Sequence, residues 1–128
     1  MSEADLGVLE ASTCSMKHFA ARARDRGEQG GLVIQLEGYF DGDAAMAVTA
    51  LIVSLIENWK GYPQVSFDLA RVSYISSLGI GALTSARSAA LQRGLRFSVD
   101  DPQPAVLNVL ELLGMTTYLS IRTSRREE

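Results

Sequence analysis

The sequence predicts a single α/β domain with a mostly parallel sheet. Short apolar runs typical of strands recur along the chain, and between them lie segments with the apolar spacing of helices. The length of 128 residues and the hydrophobic fraction of 47% suit one domain with one core. Because strands that alternate with helices favour right-handed crossovers, we expect a mixed, mostly parallel sheet of about four to five strands with helices packed on it.

The first half of the chain is predicted to contain a hairpin, a helix and a buried strand. Residues 18–24 alternate weakly, and a turn-rich stretch separates them from a clearer strand over 32–36. Residues 44–58 place apolar side chains on one helical face, with Asp43 as the expected N-cap and Gly61 as the expected end. A short apolar run over 64–69 is typical of a central strand.

The second half continues the alternation. Residues 78–92 form a predicted helix rich in small side chains, and residues 95–99 form the next strand. Asp101 and Pro102 are expected to open a further helix that closes at Gly114, before an edge strand over 117–121. The predicted order is therefore β-β-α-β-α-β-α-β.

The domain boundaries are set by where this pattern begins and ends. We assign residues 1–16 to a flexible N-terminal tail, 17–122 to the domain and 123–128 to a charged C-terminal tail. The stretch 1–16 mixes small and polar residues without a lasting period, and the stretch at the other end mixes charges of both signs. We expect neither tail to contribute to the core.

Composition excludes several classes of function. A formal net charge of -3 with scattered arginines provides no basic surface for nucleic acid. The single cysteine, Cys14, cannot form an internal disulfide and has no metal-ligand companions nearby. No run approaches the roughly 18 apolar residues of a membrane span, and there is no leader pattern, so a cytoplasmic protein is expected. Nucleotide-binding glycine motifs are also missing, and we expect no cofactor and no metal.

The segment Tyr74–Leu83 is the most informative in the chain. Two adjacent hydroxyls, Ser76 and Ser77, stand where a strand-like run meets a helix-like run. The start of a helix presents unpaired N–H groups and the positive end of the helix dipole, which favour a phosphoryl group. Serine is equally a common N-cap, so the capping interpretation stays open beside that of a phosphorylation site.

The order of four short motifs resembles that of the STAS domain family, the fold of bacterial anti-sigma factor antagonists. Members carry a G-x-L-D after the second strand, a D-L strand end, an I-D-S-S-G-L-G-x-L turn and an L-x-L-x-G helix end. The corresponding stretches here are 38–41, 68–69, 75–83 and 110–114. The resemblance covers about residues 32 to 121.

This resemblance implies a partner-switching protein. An unphosphorylated antagonist binds an anti-sigma factor that is also a serine kinase with a histidine-kinase-like fold, which frees the sigma factor. Phosphorylation reverses the binding, because a phosphoryl adds about -1.5 to -2 charges at the docking surface, and a PP2C-type phosphatase restores it. The chain would then be a substrate and a binding module, not an enzyme.

The resemblance also assigns the site residues. Ser76 stands where many members carry Asp, while Ser77 and Leu78 occupy the first and second hydroxyl positions. We therefore expect phosphorylation at Ser77, with Ser76 as the fallback. The expected partner-binding residues are Asp41, Ser76, Ser77, Leu78, Gly79, Thr84 and Arg87.

Two roles for Asp41 remain open. Its carboxylate can face the serine turn from the end of the neighbouring strand, as the resemblance implies. It can instead make local backbone hydrogen bonds in a turn with Gly42.

Two alternative functions stand beside this one. A STAS domain can be a non-switching accessory or scaffold subunit, for example of a lipid-transport ABC system or a signalling complex. A hydrolase built from Asp41, Ser77 and His18 is disfavoured, because Ser77 lies outside a G-x-S-x-G elbow.

Overall fold

The computed structural model describes residues 4–8 and 18–123 and confirms the α/β class. Its strands are β1 (Ala4–Val8), β2 (Phe19–Asp25), β3 (Leu32–Phe40), β4 (Gln64–Ile75), β5 (Arg96–Asp100) and β6 (Ile121–Arg122). Its helices are α1 (Gly42–Glu57), α2 (Ser77–Gln92) and α3 (Pro104–Leu112). A short 3-10 turn over Gly27–Gln29 links β2 to β3.

The six strands form one mixed sheet in the order β1-β2-β3-β4-β5-β6. The first three are antiparallel neighbours, and β3 to β6 are parallel. Strand β1 lies within the stretch 1–16 that the sequence assigned to a flexible tail, so that assignment is wrong for Ala4–Val8. The rest of that stretch, and residues 124–128 of the predicted C-terminal tail, lie outside the described residues.

One face of the sheet carries the core. Along β2 the buried Phe19, Ala21 and Ala23 alternate with more exposed residues, as expected for a strand with one covered face. Helices α1 and α2 pack against each other and against the parallel strands. The largest fully buried side chains of this core are Phe40, Phe67, Leu32, Ile34, Leu36, Ile52, Ile56, Leu69, Leu83, Leu110, Leu119 and Val48.

Strand β4 is longer than predicted and ends at Ile75 instead of residue 69. It pairs with β3 along both strands, from Leu32 opposite Val65 to Phe40 opposite Ile75, with two register shifts that absorb extra residues. These bulges break the regular alternation of apolar residues after residue 69. The sequence pattern therefore predicted a strand over 64–69 only. Because of this pairing, β3 and β4 end side by side.

The helix ends differ from those predicted. Helix α1 ends at Glu57 rather than near Gly61. The guanidinium of Arg93 donates hydrogen bonds to the carbonyl of Ile56 in the last turn of α1 and to that of Trp59 just beyond it. Helix α3 begins at Pro104 rather than Pro102. Asp101 has a left-handed φ of 56° instead of the extended backbone of an N-cap, and Gln103 takes the N-cap position.

The last strand is also shorter than predicted. Residues 116–120 are turn, and the N–H of Leu119 bonds to the carbonyl of Met115, so β6 is limited to Ile121–Arg122. Arg122 nevertheless stabilises the pairing of β6 with β5, since its guanidinium donates two hydrogen bonds of 2.9 Å to the two carboxylate oxygens of Asp100. This ion pair raises the pKa of Arg122 further above its ordinary value, mainly through the hydrogen bonds to Asp100.

Candidate functional site

Two strand-to-helix joints lie next to each other at one end of the sheet. Strand β3 ends at Phe40 and β4 ends at Ile75, and these two residues are register partners. The N–H of Ser76 then donates to the carbonyl of Phe40 at 3.0 Å, which ties the second joint to the first. The N-termini of α1 and α2 are thereby held together.

Asp41 caps helix α1. Its Oδ1 accepts a hydrogen bond of 3.0 Å from the N–H of Ala44, and its backbone is extended, as at an ordinary N-cap. The prediction that Asp43 caps this helix is therefore wrong; Asp43 is an acidic residue of the first turn. Of the two roles left open for Asp41, the local backbone bond is observed, and its place after Phe40 also puts it beside the serine turn.

Ser76 caps helix α2 with a hydroxyl that is already occupied. The oxygen accepts a hydrogen bond of 3.1 Å from the N–H of Gly79, and the hydroxyl donates to the carbonyl of Phe40 at 3.4 Å. Ser76 is half-buried. Modification of this oxygen would remove the cap of α2 and its link to β3.

Ser77 is the first residue of α2 and is exposed. Within the part of the chain that the structure describes, its hydroxyl makes no hydrogen bond. The two serines are therefore adjacent in sequence but differ in availability. One hydroxyl holds the backbone, and the other is presented to solvent.

Gly79 lets α2 approach β3. A Cβ on this residue would lie 2.6 Å from the carbonyl oxygen of Phe40, closer than real Cβ contacts, and 3.0 Å from Cγ1 of Ile75, which is tight. By contrast, a Cβ on Gly81, two residues later, would meet nothing within 4 Å. Of these two glycines in α2, only Gly79 is required for close packing.

Leu78 is a large apolar side chain at the surface of the serine turn. Its exposed fraction is 55%, and its Cδ1 is the nearest atom to a Cβ built on Gly42, at 3.1 Å. Leu78 therefore lies between the starts of the two helices. One turn further along α1, Met46 is 77% exposed.

The two contact candidates on the body of α2 are partly engaged within the domain. The hydroxyl of Thr84 donates to the carbonyl of Gly81 at 2.8 Å. The guanidinium carbon of Arg87 lies 3.9 Å from the ring centroid of Tyr118, a cation–π distance. Both residues are half-buried, so they lie beside the serine turn rather than at its most exposed point.

The electrostatics of the site favour an added anion at the start of α2 and oppose one at the start of α1. The unpaired N–H groups and dipole of α2 point towards Ser77, while the carboxylates of Asp41 and Asp43 stand at the start of α1. No group of three or more potential metal ligands occurs among the described residues. The chemistry of the site is that of a hydroxyl at a helix start.

Three aromatic side chains, His18, Tyr39 and Tyr74, lie in a row at the same end of the sheet and were not predicted from the sequence. The ring centroids of Tyr39 and Tyr74 lie 6.1 Å apart, and that of His18 lies 5.8 Å from Tyr39. Both tyrosines are about half exposed. The recurrence of Tyr, an apolar residue and a cap in 39–41 and 74–76 is the signal that could have revealed the row.

Comparison with protein families gives one match, described as "Mlab, STAS domain", over residues 21–122. The chain belongs to the STAS domain family. This match spans every strand and helix that builds the two joints. Comparison of this STAS domain with curated proteins gives no match.

Solved structures share the fold of this STAS domain. The anti-sigma factor antagonist SpoIIAA in its unphosphorylated form is 21% identical, with a TM-score of 0.64, over 74% of this chain and 80% of that one. The phosphorylated form of SpoIIAA, described as a Bacillus cell fate determinant, is 20% identical, with a TM-score of 0.58, over 74% and 83% of the two chains.

A third structure extends the likeness. An anti-sigma factor antagonist from Mycobacterium paratuberculosis is 20% identical, with a TM-score of 0.66, over 81% of this chain and 85% of that one. Since all three identities are low, the likeness establishes the shared fold. In the described part of this domain, no helix has the length and apolarity that crossing a membrane would need.

Proposed function

We propose that this STAS domain is a partner-switching antagonist controlled by phosphorylation of Ser77. In this proposal it binds an anti-sigma factor while Ser77 is unmodified and is released when Ser77 carries a phosphate. The observation that carries the proposal is the exposed hydroxyl of Ser77, without a hydrogen bond among the described residues, beside the engaged hydroxyl of Ser76. A kinase can reach the first without breaking the cap made by the second.

A phosphate at Ser77 changes the surface more than the fold. It would stand at the N-terminus of α2, where the helix dipole favours negative charge. It would also add about -1.5 to -2 charges next to the exposed Leu78. A partner that packs on Leu78 would then have to remove water from the charged phosphate beside it, which costs free energy. The modification therefore ends docking without unfolding the domain.

The partner expected from this proposal is an anti-sigma factor that is itself a serine kinase of histidine-kinase-like fold. A PP2C-type phosphatase would reset the switch. The shared fold of an antagonist solved in unphosphorylated and phosphorylated forms supports this. The chain is the substrate of these enzymes and performs no catalysis itself.

The partner-binding residues have distinct roles in the proposal. Leu78 supplies an apolar contact, and Asp41, Ser76 and Ser77 supply the polar groups around it. Thr84 and Arg87 extend the surface along α2. Gly79 acts indirectly, since it lets the serine turn sit against β3.

Incubation with the cognate kinase and ATP, followed by mapping of the phosphate by mass spectrometry, tests the assignment. We expect one phosphate on Ser77, no modification of Ser77→Ala, and retained modification of the matched variant Ser76→Ala, provided that its circular dichroism is unchanged. A phosphate on Ser76 with Ser77 unmodified would overturn the assignment of Ser77. The absence of any phosphate would overturn the switch.

A second candidate function is an accessory subunit without a switch. The matched family model is named for Mlab rather than for the antagonists, and this name favours the candidate. An accessory subunit of a transport ATPase or a scaffold would bind its partner whether or not Ser77 is charged. Pull-down with wild type and Ser77→Asp separates the two: loss of partner with Ser77→Asp supports the switch, and recovery of the same ATPase with both supports the accessory role.

A further inference from the structure

The structure presents a second recognition surface beside the serine turn, formed by Glu37, Tyr39, Tyr74 and His18. The three rings lie one after another, from His18 just before β2 to Tyr39 on β3 and Tyr74 on β4, and the two tyrosines are register partners. The two tyrosines are 52% and 49% exposed, and His18 and Glu37 are exposed as well. We refer to these four residues as the aromatic row.

A close backbone contact at Gly38 and Tyr39 holds the His18 end of the aromatic row in place. Gly38 has a φ of 97°, and its Cα lies so close to β2 that a Cβ would clash with the carbonyl oxygen of His18. The N–H of Tyr39 donates to that carbonyl at 2.7 Å. This hydrogen bond between the two backbones holds the rings of His18 and Tyr39 next to each other. This part of the surface is therefore preorganised.

An open recess of about 350 Å³ lies at the β2 side of the row and is lined in part by His18, Glu37 and Tyr39, whereas Tyr74 stands outside it. The carboxylate of Glu37 makes no ion pair within the described residues. Arg71 is the register partner of Glu37 on β4, but the two side chains form no ion pair, and Arg71 does not line the recess. The recess thus offers aromatic faces and one unpaired carboxylate.

The other two tyrosines of the chain show what such a face binds. The guanidinium carbon of Arg87 lies 3.9 Å from the ring centroid of Tyr118, and that of Arg96 lies 5.6 Å from the ring centroid of Tyr62. No cation from the described residues covers Tyr39 or Tyr74. Guanidinium groups bind aromatic faces through their planar charge, and the carboxylate of Glu37 adds a complementary charge.

We propose that the aromatic row binds an arginine side chain presented by a basic segment of a partner protein. The guanidinium lies over Tyr39 and Tyr74 and pairs with the carboxylate of Glu37. Because Tyr39 and Tyr74 each stand two residues before a helix cap, this arginine would dock at the same end of the sheet as the serine turn. Recognition by the row does not depend on phosphorylation of Ser77.

Titration of the full chain with N-acetyl-arginine amide, monitored by NMR, tests the proposal. The neutral isostere N-acetyl-citrulline amide is the matched ligand control. We expect shifts of the Tyr39 and Tyr74 ring resonances and of the Glu37 amide, several times larger than those at Tyr62 and Tyr118. Equal shifts at all four tyrosines, or equal shifts with citrulline, would overturn the proposal.

Variants separate the row from the switch. Tyr74→Leu is expected to weaken arginine binding by about two- to fivefold, the range of an exposed cation–π contact, and Glu37→Gln should also weaken it. Tyr118→Leu changes a ring that Arg87 already covers and should leave arginine binding unchanged. Unchanged binding in both Tyr74→Leu and Glu37→Gln, with the amide spectrum of each intact, would reject the row as the binding site. Ser77→Ala should bind arginine with the affinity of the wild type. Loss of the switch at Ser77 and loss of arginine binding by the aromatic row can therefore be told apart.

Discussion

The two strand-to-helix joints have nearly the same backbone and different chemistry. Residues 39–41 and 74–76 each run tyrosine, apolar residue, cap, and they lie in register on neighbouring strands. The caps have φ and ψ of -94° and -170° at Asp41 and of -97° and 173° at Ser76. Each side chain accepts a hydrogen bond from the N–H three residues later. Local geometry therefore does not distinguish the joints.

The residues after each cap make the difference. The first joint continues with Gly42 and Asp43, which offer no hydroxyl and one more carboxylate. The second continues with Ser77, an exposed hydroxyl, and Leu78, an exposed apolar side chain. Only the second joint can both accept a phosphate and supply an apolar contact. The cap builds each joint, and the residues beyond it give the two joints their different chemistry.

The largest effect on the pair of joints is expected at Gly79. Gly79→Ala should destabilise the protein by about 1–3 kcal/mol, since the new Cβ meets the carbonyl oxygen of Phe40. Gly81→Ala is the matched control on the same helix and should stabilise by roughly 0.5–1 kcal/mol, because its Cβ enters open space. Urea unfolding measures both. Equal effects of the two changes would mean that the joints are not tightly packed.

The two caps should matter equally for stability. Asp41→Ala and Ser76→Ala are each expected to cost about 1 kcal/mol, because each leaves one N–H without its partner. Chemical denaturation of both single variants and of the double variant is the measurement. Because the joints share the bond from Ser76 N–H to the carbonyl of Phe40, a non-additive double variant would show that the helix starts are coupled.

A smaller effect separates stability from function at the second joint. Ser77→Asp adds a negative charge to the first turn of α2 and should stabilise the protein by about 0.3–1 kcal/mol at low salt. The same variant should lose its protein partner if Ser77 is the switch. Thermal unfolding at low and high salt, set beside a pull-down, measures the two. Partner loss accompanied by unfolding would point to a damaged fold instead.

The smallest effect is expected at Gly42, directly after the first cap. Gly42→Ala places a Cβ 3.1 Å from Cδ1 of Leu78, the flexible end of a side chain that can move towards solvent. The free energy of unfolding should change by no more than about 0.5 kcal/mol. Partner affinity measured with the same variant reports whether the position of Leu78 matters. A large loss of stability would show that Leu78 is held more rigidly than its exposure indicates.

The sequence predicted most of the elements that build the site and missed their exact ends. Apolar periodicity located β2 to β5 and all three helices, because burial on one face imposes that period on the residues themselves. The strand predicted over 117–121 overlaps β6 only at Ile121. Periodicity did not find the C-terminal half of β4, since bulges in the pairing with β3 interrupt the alternation there. Nor did it find β1, whose short stretch of mixed residues becomes a strand only by pairing with β2.

The candidate site shows the same division. That a serine pair stands at the start of a helix was readable from Tyr74–Leu83, because strand and helix patterns meet there. Which hydroxyl is free was not readable, since it depends on the N–H of Gly79 and the carbonyl of Phe40. The aromatic row needed the register of β3 with β4, which places Tyr39 opposite Tyr74.

By itself, the sequence determined the α/β class, the order of the parallel elements and the serine turn, because these depend on local periodicity and on residue types next to each other in the chain. Only the tertiary structure decided that Asp41 rather than Asp43 caps α1, that Ser77 rather than Ser76 is free, and that Gly79 but not Gly81 is needed for packing. The engagement of Ser76 and the close packing at Gly79 both depend on the carbonyl oxygen of Phe40 at the end of β3, whereas the cap by Asp41 depends on where α1 begins. Distances of that kind are set by strand register, which no single segment encodes.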